Sequence, residues 1–217
     1  MMEQERLAIY INSLEQEDSP LVSEIAREAV ASRVPVMRRE TASLIKTLLT
    51  MKQPRHILEV GTAVGYSALV MAENTAADCH ITTIEKYGKR IPVARENFRR
   101  AGMEDRITLL EGDGLELVGR LPGPFDFIFM DAAKAQYIRF LPDMLRLLPP
   151  GGVMVSDNVL QEGDILESRF AVRRRDRTIH SRMREYLYAI KHHEALSTAI
   201  LPVGDGVAVS VRRPQEE

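Results

Sequence analysis

The sequence predicts an α/β fold in which a doubly wound, mostly parallel sheet carries helices on both faces, with helices at the N-terminus as a cover. Three observations predict it. From residue 55 onward, short apolar runs alternate with stretches of helical length, the pattern of a parallel sheet with crossover helices. The first fifty residues carry only helical spacing. The last two apolar runs are joined by Gly204-Asp205-Gly206, a hairpin signal that makes one of them antiparallel.

In chain order, Leu7, Ile11 and Leu14 recur at helical spacing, as do Leu21, Ile25 and Ala29 after the start signal Asp18-Ser19-Pro20. Pro35 breaks the pattern. A third helix over about 38–51 puts Leu44, Ile45, Leu48 and Leu49 on one side. HILEV (56–60) is a strand entering a glycine turn, followed by a helix over 65–73. ITTIE (81–85), a helix over 88–101 and RITLLEG (106–112) come next. FDFIFMD (125–131) is a strand, and 134–148 a long amphipathic helix. VMVSD (153–157), a helix over 174–192, and strands over 197–203 and 206–213 complete the chain. No internal repeat or linker interrupts it, so 1–217 reads as one domain, with 1–52 as helical cover and 53–217 as core.

Composition bounds the function. Hydrophobic residues at 45% and charged residues at 28% exclude whole-chain disorder. The net charge of −2 argues against a general nucleic-acid binder. That average hides residues 168–184, where seven arginines and one aspartate give +6 and leave −8 on the other 200 residues. Cys79 is the only cysteine, which excludes a disulfide framework or thiolate zinc site within one chain. The start MMEQERLAIY is no signal peptide, and no run of 18 apolar residues occurs. A cytoplasmic protein with no membrane partner is expected.

Right-handed crossovers put the C-terminal ends of parallel strands on one edge, where such sheets bind ligands. The first strand ends in a loop holding Gly61 and Gly65. This is neither G-x-G-x-x-G nor a phosphate-cradling loop ending in G-K-[ST], and it carries no basic residue. Its ligand therefore lacks a pyrophosphate, unless the loop is a plain tight turn. Glu85 ends the second strand, 24 positions after Gly61, as a ribose-binding acid does. The competing reading is a carboxylate capping the next helix. Asp113, between Gly112 and Gly114, fits both an adenine edge and an N-cap. Asp131, Asp157 and Asn158 end the fourth and fifth strands, an all-oxygen set suited to Mg²⁺ rather than zinc, unless the acids only cap or turn. A lysine beside a bound cation loses its proton more readily. That makes Lys134 a candidate general base; without the metal it is an ordinary surface lysine.

EVGTAVGYSA, IEK, GD, MDAAKAQY and VSDNVL resemble the cation-dependent, S-adenosylmethionine-using O-methyltransferases related to catechol O-methyltransferase, over residues 35–213. The resemblance implies a Rossmann-like class I methyltransferase fold, seven-stranded with an antiparallel last strand. It puts Glu59, Gly61 and Ser67 at the cofactor's methionine end, with Met37 laid over it. Glu85 falls at the ribose, and Asp113 and Gly114 at the adenine. Asp131, Asp157 and Asn158 become Mg²⁺ ligands, with Asp131 also near the cofactor and sharing the catalytic role with Lys134, the base. Family members are often homodimers, which is the expected state.

The acceptor is read from two further features. The chain has no tryptophan, unlike small-molecule members that line the acceptor pocket with it. The arginine strip follows the Asp157-Asn158 loop, so Arg173, Arg174, Arg175 and Arg177 are candidate contacts to an RNA backbone. Taken alone, such a run is a solvated helix face. The pattern PVM, MDAAKAQY, DNVL, RRR and AILPVGDG is similar to the bacterial tRNA-modifying branch of the family. That branch methylates the 5-hydroxyl of 5-hydroxyuridine at the tRNA wobble position, giving 5-methoxyuridine. The alternatives are a catechol-type or caffeoyl-type acceptor, and a non-catalytic binding module.

Overall fold

The computed structural model describes residues 2–214. Three helices, α1 (Met2–Leu14), α2 (Pro20–Ala31) and α3 (Arg39–Lys52), precede the sheet. The core then runs β1 (His56–Val60), α4 (Tyr66–Glu73), β2 (His80–Glu85), α5 (Ile91–Arg100), β3 (Ile107–Glu111), α6 (Gly114–Val118) and β4 (Phe127–Met130). It continues with α7 (Tyr137–Leu147), β5 (Val153–Ser156), α8 (Arg177–His192), β6 (Leu196–Leu201) and β7 (Val207–Arg212).

The seven strands form one sheet in the order β3-β2-β1-β4-β5-β7-β6. The first five are parallel, and β7 lies antiparallel between β5 and β6. The order reverses between β1 and β4, so a crevice opens beyond their C-terminal ends. Register aligns those ends: Val60 pairs with Ile84 and Met130, and Met130 with Ser156. The ladder runs one residue further, because Asp131 N–H donates to Val60 O and Asp157 N–H to Met130 O, each at 3.0 Å. Asp131 and Asp157 are thereby fixed on adjacent rungs.

Near-continuous apolar strands bury both faces, as a doubly wound sheet requires. One face packs Ile57, Phe127, Phe129 and Val155 against Ile25, Ile45, Leu49 and Leu69 of α2 to α4. The other packs Leu58, Ile128, Met130 and Met154 against Phe140, Met144, Tyr186 and Ile190 of α7 and α8. Ser19 starts α2 as expected, its hydroxyl accepting from Val22 N–H at 3.3 Å.

Several boundaries differ from the sequence reading. Lys134–Gln136 form a 3₁₀ turn before α7, because the chain leaves β4 through an extended Ala133. Residues 174–176 are a turn, and α8 starts only at Arg177. A 3₁₀ segment, Gln161–Leu166, broken by a kink at Glu162 and Gly163, and α6 had no sequence assignment. The hairpin is present, but its loop spans residues 202–206 rather than the three of the GDG signal. The stripe of α1 is helical, yet Leu7, Ile11 and Leu14 are exposed rather than buried in the chain. Among the described residues, no helix is long and apolar enough to cross a membrane.

Candidate active site

A cavity of about 560 Å³ opens along the C-terminal edge of β1, β2, β4 and β5. One half is built around the glycine loop. Gly61 has φ +110°, and a Cβ there would lie 2.1 Å from the Asp131 carbonyl oxygen. Only glycine fits so close to the neighbouring strand. The Glu85 carboxylate holds this loop: Oε2 accepts Ala63 N–H at 2.8 Å, and Oε1 accepts Lys86 and Tyr87 N–H at 2.9 and 2.8 Å. Glu85 therefore caps the next turn and lines the cavity as well.

Glu59 and Ser67 lie beneath the loop rather than on the cavity wall. The fully buried Glu59 carboxyl accepts from the hydroxyls of Ser67 and Thr83, and Thr83 in turn contacts Thr62 at 2.6 Å. Burial, only partly offset by those two hydroxyls, pushes Glu59 up to about 7. Asp113 is committed as the N-cap of α6, its Oδ1 accepting Leu115 N–H at 3.0 Å, while Lys86 Nζ lies 3.5 Å from its Oδ2. The flanking Gly112 and Gly114 line the cavity instead. Met37, in the segment before α3, is 5% exposed and forms part of the opposite wall.

The other half holds the charged groups. Asp131, Lys134, Asp157 and Asn158 all line the cavity. Asp157 is buried, and its Oδ1 accepts Asn158 N–H at 2.7 Å. Burial first, and then the charge of Asp131, pushes Asp157 up to about 7. Asp131 is raised by its own burial, against the pull of Lys134 and Arg90. Two carboxylates that resist ionising together are a place where a cation is favoured. Among the described residues, no group of three or more His, Cys, Asp or Glu is placed to hold a metal. The set here is two carboxylates and one amide, oxygen donors that fit a hard divalent ion.

Three features escaped the sequence reading. Asp205, from the hairpin loop, is 8% exposed and lines the cavity. Its Oδ2 lies 3.6 Å from Lys134 Nζ, and its Oδ1 accepts Glu162 N–H. The only sequence signal was the GDG turn, which gave the carboxylate no partner. The buried Tyr137 hydroxyl lies 2.9 Å from Met130 O and 3.1 Å from Asp157 O, pinning β4 to β5 where their acids emerge. Arg38 Nη2 and Glu162 Oε1, 3.4 Å apart, pair across the cavity rim.

The arginine strip is divided. None of Arg173, Arg174, Arg175 and Arg177 lines the cavity. Arg177 donates to the carbonyls of Phe170 at 3.2 Å and Val172 at 3.3 Å, which corrects its expected outward role. Arg175 contacts Asp176 at 3.4 Å, and Arg173 and Arg174 are exposed. Arg182 of α8 donates to Ala135 O at 3.3 Å, in the turn that holds Lys134.

Residues 12–213 match the family profile described as O-methyltransferase. A catechol O-methyltransferase from Mycobacterium tuberculosis is 30% identical over 204 residues, 90% of each chain. One from Niastella koreensis is 35% identical over 127 residues, 57% of this chain and 58% of its own length. An SAH-bound Podospora anserina methyltransferase superposes with a TM-score of 0.87 at 26% identity, covering 98% of this chain and 96% of that one. An SAH-complexed O-methyltransferase from Bacillus cereus gives 0.84 at 25% identity, covering 96% and 97%.

Proposed function

The chain belongs to the O-methyltransferase family, and from that premise we propose that it methylates the 5-hydroxyl of 5-hydroxyuridine at the tRNA wobble position, using S-adenosylmethionine and Mg²⁺. The observation that carries the reaction is one cavity whose two halves differ in chemistry: a glycine loop held by Glu85, and the cluster of Asp131, Lys134, Asp157 and Asn158.

Gly61, Glu85 and Met37 would hold the cofactor, and Asp131, Asp157 and Asn158 the metal. When bound, these groups supply an electrophilic methyl on sulfur and positive charge beside the acceptor oxygens. Vicinal oxygens on the acceptor, the 4-oxo and 5-hydroxyl of the uracil, would suit a cation held by the paired acids. Lys134 takes the hydroxyl proton, and Asp205 holds the lysine in place. With the cofactor bound, its methyl would pass to the deprotonated acceptor oxygen and S-adenosylhomocysteine would be released. The chain's share is orientation and a preformed polar site.

The arginine strip beside the Lys134 turn supports an RNA acceptor, since guanidinium groups match phosphate. The names of the relatives favour a second reading, methylation of a small catechol-like compound. Nucleoside mass spectrometry of tRNA from a strain lacking the protein decides between them. Accumulated 5-hydroxyuridine with loss of 5-methoxyuridine supports the RNA acceptor; unchanged 5-methoxyuridine refutes it. In vitro, a chelator should abolish transfer to the tRNA, with Mg²⁺ restoring it.

A further inference from the structure

The stretch from Ile165 to Val172, from the end of the 3₁₀ segment towards α8, holds its backbone fast and two large apolar side chains out. Ile165 and Val172 anchor it, at 8% and 4% exposure, while Leu166 and Phe170 are 84% and 83% exposed. Three side chains of α8 grip its carbonyls. Arg184 donates to Ile165 O at 3.2 Å, and His180 Nε2 lies 3.1 Å from Glu167 O. Arg177 holds Phe170 O and Val172 O, and its guanidinium carbon sits 5.8 Å from the Phe170 ring centroid. The ring is therefore presented on a clamped backbone, not left out by a loose one. A single exposed apolar residue needs no explanation; here an aromatic and a leucine are both exposed on one short stretch that continues into exposed Arg173, Arg174 and Arg175, an apolar and basic patch of sequence.

This combination has a specific chemistry. Arginines bind phosphates without reading sequence, and an aromatic face stacks on any unpaired base. Duplex nucleic acid offers no free base face, so the patch suits a single-stranded loop. A ring already fixed in place loses little conformational freedom when a base settles on it. We infer that Phe170, on the stretch that continues into exposed Arg173, Arg174 and Arg175, is the stacking platform for an unpaired base of the RNA loop. The inference rests on the RNA acceptor proposed above and adds where an unpaired base of its loop docks.

The test uses the full-length protein and a synthetic anticodon stem–loop RNA carrying 5-hydroxyuridine at the wobble position and 2-aminopurine at the next base. Stacking on Phe170 quenches the 2-aminopurine fluorescence as the wild-type protein binds. Phe170→Ala should lose the quench and bind the RNA about tenfold to a hundredfold more weakly, the scale of one base–aromatic stack. Phe170→Trp should restore both. S-adenosylmethionine affinity measured in parallel confirms that the variants are folded. Wild-type affinity and quench in Phe170→Ala overturn the platform. RNA binding that depends on Phe170, without methyl transfer to 5-hydroxyuridine, supports the platform and overturns the reaction. No RNA binding by the wild type overturns both.

Discussion

Glu59 makes the stability of the cofactor-free protein depend on pH in an unusual direction. Its carboxyl is fully buried, and burial raises it from 4.5 to about 7. A carboxyl raised in the folded state keeps its proton where the unfolded chain has lost it. Stability is then greatest at low pH and is lost as pH rises through the interval from 4.5 to about 7. This is the reverse of a salt-bridged acid. With those two values, the Glu59 contribution at pH 5.5 exceeds that at pH 8 by about 2 kcal/mol. For a chain of this size that is about 4–8 °C in melting temperature. Other groups titrate in the same range, so the informative quantity is the difference between wild type and Glu59→Gln. The variant removes the charge and keeps an oxygen for Ser67 or Thr83. Denaturant unfolding at pH 5.5 and 8 should show wild type losing about 2 kcal/mol more than the variant over that interval. Parallel pH dependences would refute the reasoning, because Glu59 would then ionise alike in both states.

Other outcomes follow from the same geometry. Lys134→Met should lower kcat about a hundredfold to ten-thousandfold, the range of a lost general base, with S-adenosylmethionine affinity retained by calorimetry. Asp205→Asn should lower kcat by a smaller factor, about tenfold, with S-adenosylmethionine affinity retained, because it holds Lys134 in place. An unchanged kcat would reduce Asp205 to a support for the 162 loop. Gly61→Ala should destabilise the protein by about 2–5 kcal/mol, through a strained φ and a clash with the Asp131 carbonyl. Thermal melting reads it directly.

Much of the site was legible from local pattern. Alternating strands and helices specify a parallel sheet, and right-handed connections bring its strand ends to one edge. Gly61, Glu85, Asp131 and Asp157 each sit at or one residue past a strand end, so period and topology together placed them in one cavity. The helix boundaries were less legible. Lys134 reads as the first residue of a long helix, but the exit from β4 forces a 3₁₀ turn there. Asp113 has the sequence of both a cap and a ligand, and only the α6 N–H groups show which bond it makes.

The sequence by itself determined the sheet, its ligand-bearing edge and the residue types on that edge. These follow from short-range spacing and a nearly universal handedness. Tertiary structure alone decided the partners. Asp205 meets Lys134 because β7 inserts between β5 and β6, carrying the hairpin loop back to the edge from 71 positions away. Arg177 turns inward while Arg173 and Arg174 stay out, because buried Val172 leaves loop carbonyls that need donors. The Glu59 carboxyl is pushed up to about 7 because α4 and β2 enclose it, a fact of packing density that no local pattern encodes.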